Sequence, residues 1–196
     1  MRSKEEIREN IWEYMEKNNL VTFPRPCYGR IPNFIGSEKA ARKLYEIKEF
    51  WKAQGIFSAP DSVLKEARRI ILKEGKTLIV ALPHIEGFLE IKGKEIADKA
   101  ITIKNFKKYG KEPKTFIEIF IQGSVAVDLK GNRLGKGKGY GDREYYELKN
   151  RGLLKKPLVI TIVHDCQVLE DFSYLAEPHD IKVDVILTPT RIIRIR

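Results

Sequence analysis

Cysteine is scarce in this chain. Cys27 and Cys166 are the only two, far apart and outside any CxxC or Cys/His cluster. That excludes a disulfide framework and a cysteine-rich zinc site, and predicts two buried structural thiols. No apolar run is long enough to cross a bilayer, and the opening "MRSKEEIREN" is a charged helical pattern without the apolar stretch of a signal peptide. The expectation is a cytoplasmic protein with no membrane partner. Internal repeats and low-complexity linkers are also missing. So are the common nucleotide-binding spacings, since neither G-x-x-x-x-G-K-[ST] nor G-x-G-x-x-G occurs.

What the chain does have is positive charge, a formal +10 over 196 residues, with 42% hydrophobic content. The length and apolar content predict one domain, 1–196, with a substantial core. The charge implies attraction to polyanions, whether nucleic acid, nucleotides or polycarboxylates.

Ser3 and Glu6 have capping-box spacing, and Ile7, Ile11, Tyr14 and Met15 then form one apolar face, predicting a first helix that ends near Asn18 and Asn19. "FPRPCYGRIPNFIG" (23–36) holds three prolines and two glycines and predicts an extended, ordered loop. Ser37 is the expected N-cap of a second helix with Ala40, Ala41, Leu44, Tyr45, Ile47 and Trp51 on its apolar side. Asp61 or Ser62 is expected to cap a third, carrying Val63, Leu64, Ala67, Ile70 and Ile71. Four apolar segments read as buried strands: "TLIVALP" (77–83), "TFIEIFIQGSVAVD" (115–128), "PLVITIV" (157–163) and "VDVILTP" (183–189). With a helical pattern over 142–149 between two of them, the reading is an α/β fold: a mostly parallel central sheet covered by helices on both faces.

Between the second strand and that last helix lies "NRLGKGKGYGDR" (132–143), with glycine at positions 135, 137, 139 and 141. Glycine at this density contributes nothing to a core, but it lets successive backbone N–H groups turn inward around an anion. Lys136 and Lys138 add positive charge, and the following helix adds its N-terminal dipole. Asp142, the expected cap of that helix, makes sense beside a polyphosphate as a Mg²⁺ ligand. The loop therefore predicts a Mg-nucleotide site. The plain alternative is a solvated Gly/Lys surface loop.

"GNRLGKGKGYGDREYY" resembles the signature of the 5-formyltetrahydrofolate cyclo-ligase family, also called methenyltetrahydrofolate synthetases, in which a strand and turn lead into R-L-G-x-G-x-G-Y-Y-D. "LVITIVHDCQVLEDFSYLAEPHDIKVDVILTPTRII" is similar to the family's C-terminal region, and "KEEIR" to its N-terminal K-x-x-(L/I)-R. The resemblance implies a cyclo-ligase-like fold, ATP and Mg²⁺, a reduced folate or related pterin as small-molecule partner, and conversion of 5-formyltetrahydrofolate to 5,10-methenyltetrahydrofolate with release of ADP and phosphate. It further implies that Lys4 and Arg8 contact ATP phosphates, with Gly135, Lys136, Gly137, Lys138, Gly139 and Tyr140 cradling the nucleotide. Arg133, Lys138 and Tyr140 stand as catalytic candidates at the transferring phosphoryl, and Asp142 and Asp180 as Mg²⁺ ligands. Read from the residues alone, Lys4 and Arg8 suit a solvated helix face and Asp180 a turn. His164 reads as a structural histidine and stays outside the site.

The chain departs from the family pattern in two places. No glutamate precedes Asp61 in "SAPDSVLKEAR", where the family carries a folate-contacting one, and Gly141 stands where the family has a second tyrosine. The proline loop resembles a segment of the methenyltetrahydrofolate synthetase domain-containing branch. This makes Arg30 and Asn33, together with Tyr140, the candidates for substrate contact. The competing function is a non-catalytic nucleotide- or RNA-associated binding protein that retains the fold. Nucleic acid is not favoured, because no strand interleaves basic residues with stacking aromatics.

Overall fold

The computed structural model describes residues 1–195. In chain order its elements are α1 (Lys4–Lys17), α2 (Ser37–Ala41), α3 (Lys48–Lys52), β1 (Gly55–Ser58), α4 (Lys65–Lys73), β2 (Thr77–Ala81), β3 (Phe88–Ile91), α5 (Ile103–Tyr109), β4 (Ile117–Gln122), β5 (Ala126–Asp128), β6 (Arg133–Leu134), α6 (Tyr140–Asn150), β7 (Leu154–Ile162), β8 (Val168–Leu169), β9 (Val185–Leu187) and β10 (Ile192–Arg194). Seven strands form one sheet in the order β10-β9-β7-β4-β1-β2-β3. The five inner strands run parallel, and β3 and β10 close the two edges antiparallel. A small second sheet, β6-β5-β8, stands beside it. Among the described residues no helix is long and apolar enough to cross a membrane.

The mostly parallel α/β reading holds, and its inner strands are the continuous β-branched runs that a sheet buried on both faces requires. The boundaries were harder to read. The 115–128 run divides at Gly123, with β4 in the main sheet and β5 in the small one. β1 and β3 went unread: β1 is four residues, "GIFS", too short to show a period, yet it pairs with both β2 and β4. The expected second helix breaks at Ile47, whose extended backbone lets both it and Phe50 enter the core. Its N-cap is Gly36 rather than Ser37. Neither Asp61 nor Ser62 caps α4, which follows a 3₁₀ turn over 62–64.

The capping box of α1 forms as read, with Ser3 accepting from the Glu6 N–H and Glu6 from the Ser3 N–H. Trp12, not Tyr14, joins Ile7, Ile11 and Met15 on its buried side. Burial pushes the Cys27 thiol up to about 12, while Cys166 is half-buried and raised to about 11. Cys27 is buried as expected, whereas Cys166, expected to be buried too, is only partly so.

Arg68 ties α4 to the loop that follows β1. It is 2% exposed, and its guanidinium donates to the carbonyls of Ala59 (2.7 Å), Asp61 (3.0 Å) and Ile101 (2.9 Å). Arg68→Met keeps the apolar bulk but strands those three carbonyls, so the expected loss is about 3–5 kcal/mol. Urea unfolding measures it, and a loss below about 1 kcal/mol would mean that the clamp contributes little.

Candidate functional site

In the main sheet the chain leaves β1 toward β2 and leaves β4 toward β7, in opposite directions, and β1 and β4 are neighbours. The carboxyl ends of these two strands therefore border the crevice where open α/β sheets take their ligands. A cavity of about 510 Å³ opens there, a size suited to a small molecule.

The glycine loop forms one wall. Gly137 (φ 105) and Gly139 (φ 71) adopt left-handed backbone that a side chain would strain. Arg8 reaches over from α1, its Nε donating to the Gly135 carbonyl at 2.7 Å, and this pins the loop in place. Gly139, not Asp142, is the N-cap of α6, and no side chain caps the helix. The first N–H groups of α6 thus open toward the cleft beside Lys136 and Lys138, an arrangement that suits an anion. The Tyr140 ring is flanked by Lys136 (5.7 Å) and Arg143 (5.1 Å), and its hydroxyl meets His84 Nδ1 at 3.3 Å.

Asp142 lies in the first turn of α6, and its carboxylate, His179 and Asp180 offer ligand atoms all within 4.8 Å of one another. Oxygen-rich donors with one imidazole can hold a hard divalent cation. Burial raises the Asp142 pKa and the charge of Asp180 adds to that, against the opposing pull of Arg133. Asp180 also accepts the Glu177 N–H at 2.8 Å, so the turn reading of this residue is realised as well. Lys4 pairs with Glu177 at 2.8 Å on the rim of the cleft.

The floor is polar, with Gln122 and Glu144 buried and Asp61 and Arg133 partly exposed. Arg133 donates from Nε and Nη2 to the Gly123 carbonyl at 3.0 and 2.7 Å. Burial lowers its pKa, opposed by Asp142, then Asp61, then Glu144. Glu144, on α6, is pushed up to about 8 by burial and by the Asp61 charge, with Arg133 and Lys136 pulling it down. Asp61 keeps contact with the cleft and is otherwise enclosed. Burial raises it, and Lys136, Arg68 and Arg133 lower it. Gly141 fits against this floor: a Cβ there would stand 2.6 Å from Gln122 Nε2 and 3.1 Å from Arg133 Nη1. The space left by the missing tyrosine is thus filled by an amide and a guanidinium.

The cleft brings together Lys4, Arg8, Arg30, Arg133, the whole 135–140 loop, Asp142 and Asp180. Asn33 is placed elsewhere. Its amide donates to the Phe23 carbonyl at 2.8 Å and accepts from the Phe34 N–H at 3.0 Å, bracing the proline loop outside the cleft lining. Arg30 lines the cleft while its Nε donates to the Pro26 carbonyl. His164 accepts the Cys166 N–H and caps a turn, as a structural histidine does. The reading missed Asp61, Gln122, Glu144, His84 and His179 as site residues. Two of them carried a signal, for Gln122 ends an apolar strand run and Glu144 shares a helix face with Leu148.

A family model described as the 5-formyltetrahydrofolate cyclo-ligase family matches residues 1–189. The chain is 42% identical over 203 aligned residues to the methenyltetrahydrofolate synthase domain-containing proteins of Bos taurus and Homo sapiens, covering 97% of this chain and 53% of each relative. It thus spans about half the length of these relatives. A 5-formyltetrahydrofolate cyclo-ligase of Arabidopsis thaliana is 33% identical over 82 residues, 40% of this chain and 30% of that protein. The solved 5,10-methenyltetrahydrofolate synthetase of Aquifex aeolicus superposes with a TM-score of 0.64 at 22% identity, covering 98% of this chain and 93% of that one, a likeness of fold.

Gly141→Ala should push the Gln122 amide and the Arg133 guanidinium off their seats. Both groups are the ends of flexible side chains and alanine favours the helix, so the expected net cost stays below about 1 kcal/mol, read by denaturant unfolding. A larger loss would mean that the two groups do not yield.

Proposed function

The chain belongs to the 5-formyltetrahydrofolate cyclo-ligase family, and on that premise we propose that it uses Mg-ATP to convert 5-formyltetrahydrofolate, or a closely related formylated pterin, to the 5,10-methenyl form with release of ADP and phosphate. The observation that carries this reading is the convergence in one cleft of a glycine loop, an uncapped helix N-terminus, the cations Arg8 and Lys136, and the Asp142, His179 and Asp180 ligand set.

In such a reaction the formyl oxygen is phosphorylated, N10 adds to the activated carbon, and loss of phosphate together with the N10 proton leaves the methenyl product. No protein nucleophile is required, so the task of the chain is positioning and charge neutralisation. The N–H groups of α6 and the loop would hold phosphate oxygens, with Arg8 fixing the loop and Lys136 and Lys138 balancing charge. Asp142, His179 and Asp180 would hold Mg²⁺, which supplies further charge neutralisation at the phosphates. Tyr140, held between two cations at the mouth, would face the transferring group.

Two predictions separate the parts of this proposal. Lys136→Ala combined with Lys138→Ala should weaken ATP binding by about tenfold or more in calorimetry, since each charge-assisted contact is worth about 1.5–3 kcal/mol. Equal affinity would remove the loop from phosphate binding. Asp142→Asn leaves the N-cap at Gly139 untouched, so it should spare the fold yet raise the Mg²⁺ concentration needed for turnover, followed as methenyl absorbance. An unchanged Mg²⁺ requirement would take Asp142 out of the metal set.

A further inference from the structure

Gln122 is 1% exposed, and among the described residues neither its Oε1 nor its Nε2 has a hydrogen-bond partner. A buried amide left unpaired costs about 1–3 kcal/mol per group, so an amide kept in that state at the bottom of a cleft points to a ligand that completes it. Glu144, 6% exposed, faces the same cleft from α6, and among the described residues its carboxyl makes no hydrogen bond. Asp61 stands beside them: an Asp61 carboxyl oxygen would lie 3.6 Å from a Cβ placed on Gly123, the residue that follows Gln122. Among the described residues no side-chain hydrogen bond reaches the Asp61 and Glu144 carboxyls or the Gln122 amide, so the floor offers oxygen acceptors and an amide donor, although Lys136, Arg68 and Arg133 act on Asp61 through their charge.

Carboxyl and amide oxygens are poor partners for phosphate, and the glycine loop with the first N–H groups of α6 offers it the better seat. The floor is right for the edge of a planar heterocycle that presents two adjacent N–H donors next to an acceptor. A 2-amino-4-oxopyrimidine ring has that edge: the exocyclic amine and ring N–H can face the oxygens of Gln122, Glu144 and Asp61, and the 4-oxo oxygen can accept from Gln122 Nε2. Adenine, with one exocyclic amine as its only donor there, satisfies the floor less completely.

We propose that Gln122 and Glu144, with Asp61 beside them, read the pyrimidine edge of the substrate's heterocycle and so supply the ring selectivity of this chain. The proposal rests on the folate-type reading above and names the residues that carry it. It also explains Gly141, since a larger residue would push the Gln122 amide out of the floor.

The test is calorimetry with three probes: 5-formyltetrahydrofolate, the bare ring compound 2-amino-4-oxotetrahydropteridine, and Mg-ATP. Gln122→Leu and Glu144→Leu should each weaken binding of the two ring compounds by about tenfold or more, while ATP affinity stays within about twofold. Glu144→Gln, which keeps an oxygen acceptor, should retain ring binding within about threefold. Because Gln122→Leu removes unpaired polar atoms, its melting temperature without ligand should match or exceed the parent's, which a purely structural role for the amide would not allow. Unchanged ring binding in both leucine variants overturns the proposal, as does a loss confined to ATP, which would give the floor to adenine. Should Glu144→Leu fail to fold, Gln122→Leu alone decides. A parent that binds the bare ring but turns over no 5-formyltetrahydrofolate overturns the proposed reaction and leaves the floor standing, whereas a parent that binds neither ring compound overturns the floor.

Discussion

Arg133 lies partly exposed at the floor of the cleft, where it donates twice to the Gly123 carbonyl within the field of Asp142, Asp61 and Glu144. That contact organises the cleft. The grip joins the small sheet to the carboxyl end of β4, and the three acids come from the β1 loop and from α6. Moving any one of these elements would change the field at Arg133 and the seat of its guanidinium on the Gly123 carbonyl.

Around that cation the cleft divides by charge. One wall gathers Lys138, Arg8, the first N–H groups of α6 and Lys136, which also acts on Asp61 and Glu144 of the floor. The floor gathers carboxyls and an unpaired amide, and suits N–H donors. A reaction that joins a polyanionic phosphate donor to a neutral heterocycle needs this kind of separation, since each partner is then steered to its own side and the two meet between. Asp142, His179 and Asp180, whose ligand atoms could together hold a cation, lie where α6 begins.

Much of this was legible in the sequence, for physical reasons. The alternate glycines among lysines marked the loop that lines the cleft, and the long β-branched runs announced a parallel sheet. What escaped notice was long-range. The N-cap role passed from Asp142 to Gly139, because a glycine in left-handed backbone already turns the chain into α6. β1 is too short for a pattern, although it carries the floor residue Asp61 at its exit. Asn33 sits among prolines like a presented donor, yet its amide is spent holding Phe23 and Phe34. Gln122 and Glu144 were visible only as polar residues out of place on apolar faces, and local inconsistency of that kind is where functional sites tend to lie.

One departure from the family pattern then acquires a physical sense. At Gly141 the place a side chain would take is held by the Gln122 amide and the Arg133 guanidinium. The account stands on one chemical event, transfer of a phosphoryl group to the formyl oxygen, and isotope tracing reads it directly. With 5-formyltetrahydrofolate carrying heavy oxygen in its formyl group, Mg-ATP and this protein should yield inorganic phosphate that contains the label, in step with the methenyl product. Unlabelled phosphate, or phosphate release without methenyl product, would contradict it.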